Sequence, residues 1–174
     1  MSIKFALLRK DRPKSPSVFA QVEGHGAQLL EYLRQPAVQD QIKEVHQLGE
    51  SSARVQAVVM PGADALGFVS EKKGLFANYR VPALRPDYFA KVDNTGILLE
   101  VERGKTTANN MDLLDLWKCH ICEHADFLFL LVPQRRVSAN GSAQQIFKQV
   151  QSRLSTFYVP KNYVNVEAVF LFGY

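Results

Sequence analysis

A chain of 174 residues, 47% hydrophobic and 22% charged, has enough apolar mass for one domain with a proper core and too little length for two. Those proportions exclude a disordered or collagen-like polymer, and no apolar run approaches the ~20 residues that span a bilayer. The formal net charge of +4 is a mild basic excess, compatible with a polyanionic partner without specifying one.

The opening "MSIKFALLRKDRPKSP" carries an apolar patch too short for a signal-peptide core and is read as native sequence. With only Cys119 and Cys122, a reducing, cytoplasmic setting is expected, and no membrane partner. Residues 24–48 predict helix, with Pro36 either starting a second helix or kinking the first. "ARVQAVVM", residues 53–60, fits a strand or a helix, and "PGAD" after it predicts a turn. "LGFVS" and "GLFANYRV" are expected as short strands on either side of the charged "EKK". The helical region 1–60 is read as part of a single domain, 1–174, whose core spans 86–174.

From residue 87 the pattern is firmer. "DYFAKV" and "GILLEVE" are apolar runs joined by "DNTG", which predicts an antiparallel hairpin. "TTANNMDLLDLWKCHICEHA" follows, with a Thr or Asn to cap it and Met111, Leu114, Trp117 and Ile121 at helical spacing. That spacing points Trp117 at the core. "DFLFLLVP" reads as a strand covered on both faces, "SAQQIFKQVQSRLSTFY" as a helix carrying Ile146, Val150 and Leu154, and "VNVEAVFLFGY" as a last strand with Tyr174 reaching the surface. Helices between consecutive strands imply crossovers, so the fold class is α/β, a mixed central sheet flanked by helices.

"CHICEH" offers thiols and imidazoles, but Cys119 and Cys122 share a helix face while His120 points roughly 100° away. No second ligand pair closes a structural zinc site, so packed thiols are expected. Ser138, Ser142 and Ser155 lack the glycines of a nucleophile elbow. "GADALG" lacks the ending of a phosphate-cradling loop, and no organic cofactor is expected.

Within the hairpin, Leu98, Glu100 and Glu102 share one face of a strand and Ile97, Leu99 and Val101 the other. With Asn94 and Thr95 as turn residues, Asp93 pairs with Gly96 and Asp87 falls opposite Glu102. Directly opposed residues project to one side with Cβ atoms roughly 4.5 to 5.5 Å apart. Three carboxylates, Asp87, Glu100 and Glu102, are thus expected on one patch. Such crowding is costly without a cation, and few carboxylates with several waters are what magnesium prefers. The competing reading is the solvent face of an edge hairpin, its charges balanced by Arg85, Lys91 and Arg103.

"PD", a hairpin and then "EVE" resembles the signature of the PD-(D/E)xK nuclease superfamily, with Glu102 where the lysine normally stands. Restriction endonucleases of the BamHI/BglII type also lack that lysine, and "EVERGKTTANNMDLLDLWK" is similar to the strand-to-helix passage of the BglII type. The resemblance covers residues 86–133. It implies a restriction-endonuclease-like fold and magnesium-dependent cleavage of DNA, with manganese as a substitute, often by a homodimer. Residue by residue, it implies Asp87 and Glu100 as metal-binding acids and Glu102 as a further ligand or water-activating base. Lys105 and Lys118 are candidates for a displaced lysine. Asp93 is a rival first acid, ranked lower because it sits at the hairpin tip, roughly 13 Å along the strand from Glu100. Glu44, Glu50 and Glu71 are upstream acids among which nothing selects. Phosphate contacts are expected from the terminal "RKDRPK" and from Lys72, Lys73, Arg80 and Arg85. The alternatives are a catalytically inactive nuclease-fold DNA-binding or scaffold protein and, more weakly, a nuclease acting on RNA.

Overall fold

Three strands with almost no polar residue between them form the middle of the molecule, as expected for strands covered on both faces. The computed structural model describes residues 2–46, 52–70, 74–80, 84–103, 106–137 and 142–174. In chain order the elements are β1 (Lys4–Arg9), α1 (Pro16–Arg34), α2 (Pro36–Val45), α3 (Ser52–Asp64), β2 (Val69–Ser70), β3 (Tyr88–Val92), β4 (Thr95–Val101) and α4 (Met111–Ile121). There follow β5 (Phe127–Val132), β6 (Arg136–Val137), β7 (Ala143–Gln144), α5 (Ile146–Ser155) and β8 (Ala168–Gly173).

Six strands form one mixed sheet in the order β1-β8-β5-β4-β3-β2. β4, β5 and β8 run parallel, and β3 and β1 run antiparallel to their neighbours. Parallel neighbours need a crossover, which α4 supplies between β4 and β5 and α5 between β5 and β8. The fold is α/β, with helices on both faces. Under α1, α2 and α3 lie Ile97, Leu99, Val101, Phe127, Phe129, Phe170 and Phe172. Under α4 and α5 lie Leu98, Leu128, Leu130, Val169 and Leu171, packed on Leu116, Cys119, Phe147 and Val150. Among the described residues no helix is long and apolar enough to cross a membrane.

The hairpin, the buried run after α4, α5 and the closing strand match the sequence expectations. Pro36 begins a second helix, one of its two expected outcomes, at a position where its missing N–H has no helical partner to lose. The N-terminal part differs in three ways. Residues 4–9, within the region expected to be helical, form an edge strand beside β8. "ARVQAVVM" is helical and α3 runs on through Pro61 and Gly62, the expected turn. Packing overrides local preference there: a Cβ on Gly62 would strike the Tyr32 ring, and Tyr32 donates its hydroxyl to the Val58 carbonyl at 2.8 Å. Residues 74–80 form turns, not the expected strand.

Candidate active site

The hairpin turn is Asp93–Asn94, one residue earlier than expected, with Asp93 in the left-handed region at φ 52°, which Asp tolerates. Pairing runs Val92↔Thr95, Ala90↔Ile97 and Tyr88↔Leu99. Asp87 therefore falls opposite Glu100, not Glu102. The expected register was off by two residues, an even number, so the shared face survives. The Asp87 amide donates to Glu100 Oε2 at 3.3 Å, and the Val101 amide donates to Asp87 Oδ2 at 2.9 Å. Gln56, from α3, lies near enough to the Asp87 carboxylate to favour its charged form.

This face is not a solvent face. Glu100 is 3% exposed and Glu102 is half-buried. What covers them is α4, and with an unexpected side. Asp112, Asp115, Lys118 and Cys119 are buried, while Leu114 and Trp117, the expected core stripe, are 39% and 41% exposed. Asp112, Asp115 and Lys118 recur at i, i+3 and i+6, one stripe of the helix. Lys118 Nζ pairs with Glu100 Oε1 and, at 2.9 Å, with Asp115 Oδ1. Of the lysines considered, Lys118 thus stands in the acid cluster, and Lys105 lies outside the described residues. Lys72, Lys73, Glu50 and Glu71 also lie outside them. Arg80 and Arg85 are exposed, and the charge of Arg85 reaches Asp87. Glu44 is exposed on α2, and Asp93 is at the hairpin tip.

Two carboxylates, Glu100 and Asp115, contact the Lys118 ammonium, and its charge reaches two more, Asp87 and Glu102. Burial pushes the Glu100 carboxyl well above its ordinary range, and the charges of Asp115 and Asp87 add to that against Lys118. Burial likewise raises Asp115 and Asp87. Glu102 is pushed up to about 7 by burial and then by Asp115. Burial alone would lower Lys118, but Glu100 and Asp115 hold it above the usual lysine range. The ammonium therefore keeps its proton, and the acids cannot all ionise beside it. Asp115 Oδ2, fully buried, finds no hydrogen-bond donor among the described residues.

The backbone of Glu102 is held from β5 and from the residue that follows β8. The Glu102 amide donates to the Leu131 carbonyl at 2.8 Å. Tyr174, expected at the surface, is 2% exposed and donates its hydroxyl to the Glu102 carbonyl at 2.7 Å. Its ring meets His46 edge-on at 5.3 Å. Burial, then the nearby Arg103 charge, depresses the His46 imidazole. β8 lies two strands from β4, which is why no local pattern announced this contact.

No protein-family model matches the chain, and no curated protein is significantly similar to it. Chemistry must be argued from the cluster itself. Among the described residues, no three acids, histidines or cysteines stand together as a ready chelate; the Lys118 ammonium lies between two of the acids. Donor type and charge nevertheless fit a hard divalent ion: the available donors are carboxylate oxygens, they outnumber the Lys118 ammonium beside them, and among the described residues a buried Asp115 oxygen lacks a donor. The "CHICEH" thiols instead join the core beneath α4. Both are buried, Cys119 directs its Sγ at the Ala125 carbonyl, and the His120 Nδ1 accepts from the Asn165 amide.

Asp112, Asp115 and Gln56 also turn toward the cluster, and none of them was expected there from the sequence. A signal existed for the first two. "MDLLDLWK" spaces Asp, Asp and Lys along one stripe as evenly as it spaces Leu and Trp along another. Hydrophobicity favoured the wrong stripe.

Proposed function

We propose that the chain is a divalent-cation-dependent endonuclease that hydrolyses DNA phosphodiester bonds, of the restriction-endonuclease-like type. The observation that carries this reading is the burial of Asp87, Glu100, Glu102 and Asp115 near a single lysine, at the junction of a hairpin and a crossover helix. A fold with no use for that charge gains more from apolar side chains of similar volume. The order of hairpin, crossover helix and parallel strand is also the one the nuclease resemblance implies.

In this reading Asp87 and Glu100 hold magnesium, or manganese as its substitute, with Glu102 as a further ligand or as the base. When bound, the ion supplies polarisation of a phosphoryl oxygen and a more acidic water. Glu102 takes up a proton near neutrality, the range that suits a general base. Lys118 sits where positive charge meets the negative charge developing on the phosphoryl group, filling from α4 the part of the lysine absent at position 102. Lys105 is the alternative for that part. A homodimer would bring two such sites to the two strands of a duplex. The buried thiols suit a reducing cytoplasm.

Glu100→Ala tests the site. It should leave the circular dichroism spectrum intact and lower magnesium-dependent nicking of supercoiled plasmid on the order of 10²–10³-fold or more. Undiminished nicking by the purified variant removes these acids from the chemistry.

A second reading, an inactive nuclease-fold protein that binds DNA or serves as a scaffold, is favoured by Glu102 at the lysine position and by the Lys118 pairing, which itself offsets charge. Magnesium titration by calorimetry separates the two: the inactive form shows no binding heat that depends on Glu100, and no nicking. RNA assayed beside DNA identifies the polymer.

A further inference from the structure

Between the turn that precedes α4 and the exposed side of α5 runs an open groove of about 580 Å³. Its polar lining comprises Thr107, Gln144, Lys148, Gln149, Ser152 and Arg153. Lys148, Gln144, Gln149 and Ser152 offer N–H or O–H donors, the Thr107 hydroxyl donates to Gln149 Oε1 at 3.5 Å, and no carboxylate lines the groove. A phosphodiester presents only acceptor oxygens and a negative charge, so this lining is complementary to it.

The two cations in the groove differ. Among the described residues Lys148 makes no ion pair and is exposed, so its charge is available to a ligand. Arg153 reaches inward. Its Nε stands 3.3 Å from Asp112 Oδ2, Nη1 donates to the Thr107 carbonyl at 3.2 Å and Nη2 to Asn110 Oδ1 at 2.6 Å. Those contacts fasten α5 to the first turn of α4, the helix that carries Asp115 and Lys118. The Asp112 charge is felt in turn at Glu102 and Asp115. The groove is thus linked to the acid cluster through Arg153 and Asp112, which lies one helical turn before Asp115.

The basic segment favoured from sequence does not compete well for this role. Lys10 is paired to the buried Glu167 at 2.9 Å and Lys14, at the surface, to Asp126 at 2.7 Å, so two cations of "RKDRPK" already carry acidic partners.

We propose that this groove is a backbone subsite for the nucleic acid, holding a phosphodiester that flanks the scissile one. Lys148 supplies the free charge, the Gln144 and Gln149 amides and the Ser152 hydroxyl orient the phosphate oxygens, and Arg153 ties the subsite to α4. This rests on the nuclease reading of the acid cluster.

The test uses the full chain carrying Glu100→Gln, to suppress cleavage, and a fluorescent 20-base-pair duplex. Anisotropy is recorded over a salt series with and without Lys148→Ala. Lys148→Ala should weaken binding several-fold and reduce the slope of log K against log salt by about 0.9, one phosphate contact, without moving the melting temperature. Ser152→Asp, which sets an acid in the groove, should weaken binding at least as much. In the cleaving parent, Lys148→Ala should raise KM and leave kcat near the parent value. An unchanged slope in a parent that binds DNA overturns the subsite and leaves the nuclease reading standing. A parent that neither binds nor cuts DNA overturns both. Tighter, Lys148-dependent binding of poly-glutamate than of DNA overturns the subsite in favour of an acidic protein partner.

Discussion

The two faces of the sheet are built from the same strands and do opposite things. Under α1–α3, Phe129 stacks within 4.8 Å of Phe170, 5.6 Å of Phe172 and 5.8 Å of Phe68, all centroid to centroid, and the strands contribute no carboxylate. Under α4 and α5, Leu98 is followed on the same face by Glu100 and Glu102, and the covering helix turns Asp112, Asp115 and Lys118 toward them. The first face supplies stability through burial of apolar surface. The second gives some of it up, since buried acids in excess of base cost more than they return. Purely apolar packing and buried charge have been assigned to opposite sides of one strand, β4, by its two-residue period.

That contrast can be broken or sharpened in three ways. The largest effect belongs to the apolar face: Phe129→Ala should cost about 3–5 kcal/mol in urea denaturation, with magnesium stabilising the variant by no more than it stabilises the parent. A difference in that increment would show that the two faces are not independent. Next is Lys118→Met, which leaves the acids without their base. It should cost roughly 3 kcal/mol at pH 8 and clearly less at pH 5, where the acids take up protons. Magnesium should stabilise this variant by more than it stabilises the parent. Equal costs at both pH values would mean that the acids carry no electrostatic load.

The smallest effect is a slope. The Glu102 carboxyl is raised from 4.5 to about 7, so folding favours its protonated form. Its contribution is complete below pH 4.5 and is lost as pH rises through 7. Metal-free stability should therefore fall across that window, and Glu102→Gln, which cannot titrate, should flatten the fall. A steeper decline in the variant would reverse the sign and remove Glu102 from the cluster.

Much of the fold was legible because its signals are local. The "DNTG" turn, the unbroken "FLFLLV" of β5 and the spacing of Ile146, Val150 and Leu154 each report a period or a break within a few residues. The N-terminal segments were harder. "KFALLR" pairs with a strand at the other end of the chain, and Pro61–Gly62 sits in a helix because Tyr32 packs there. The candidate site divides the same way. That Glu100 and Glu102 share a face follows from alternation alone, and Asp87 was correctly assigned to that face even with the turn misplaced, since a slip of two residues preserves parity. Trp117 and Tyr174 went wrong together: one is apolar yet exposed, the other terminal in the sequence yet buried. Each position was decided by what a distant element offered.

By itself, the order of residues determined the class of fold, the hairpin, the shared direction of two glutamates and the presence of a lysine within reach on the next helix, because strand and helix periods are properties of the backbone. Only the tertiary structure decided which stripe of α4 turns inward, that Asp115 joins the acids, that Arg153 braces the start of α4 and that Tyr174 holds the Glu102 carbonyl. Those choices depend on contacts between segments far apart in the chain, where burial, charge and hydrogen bonding are settled jointly.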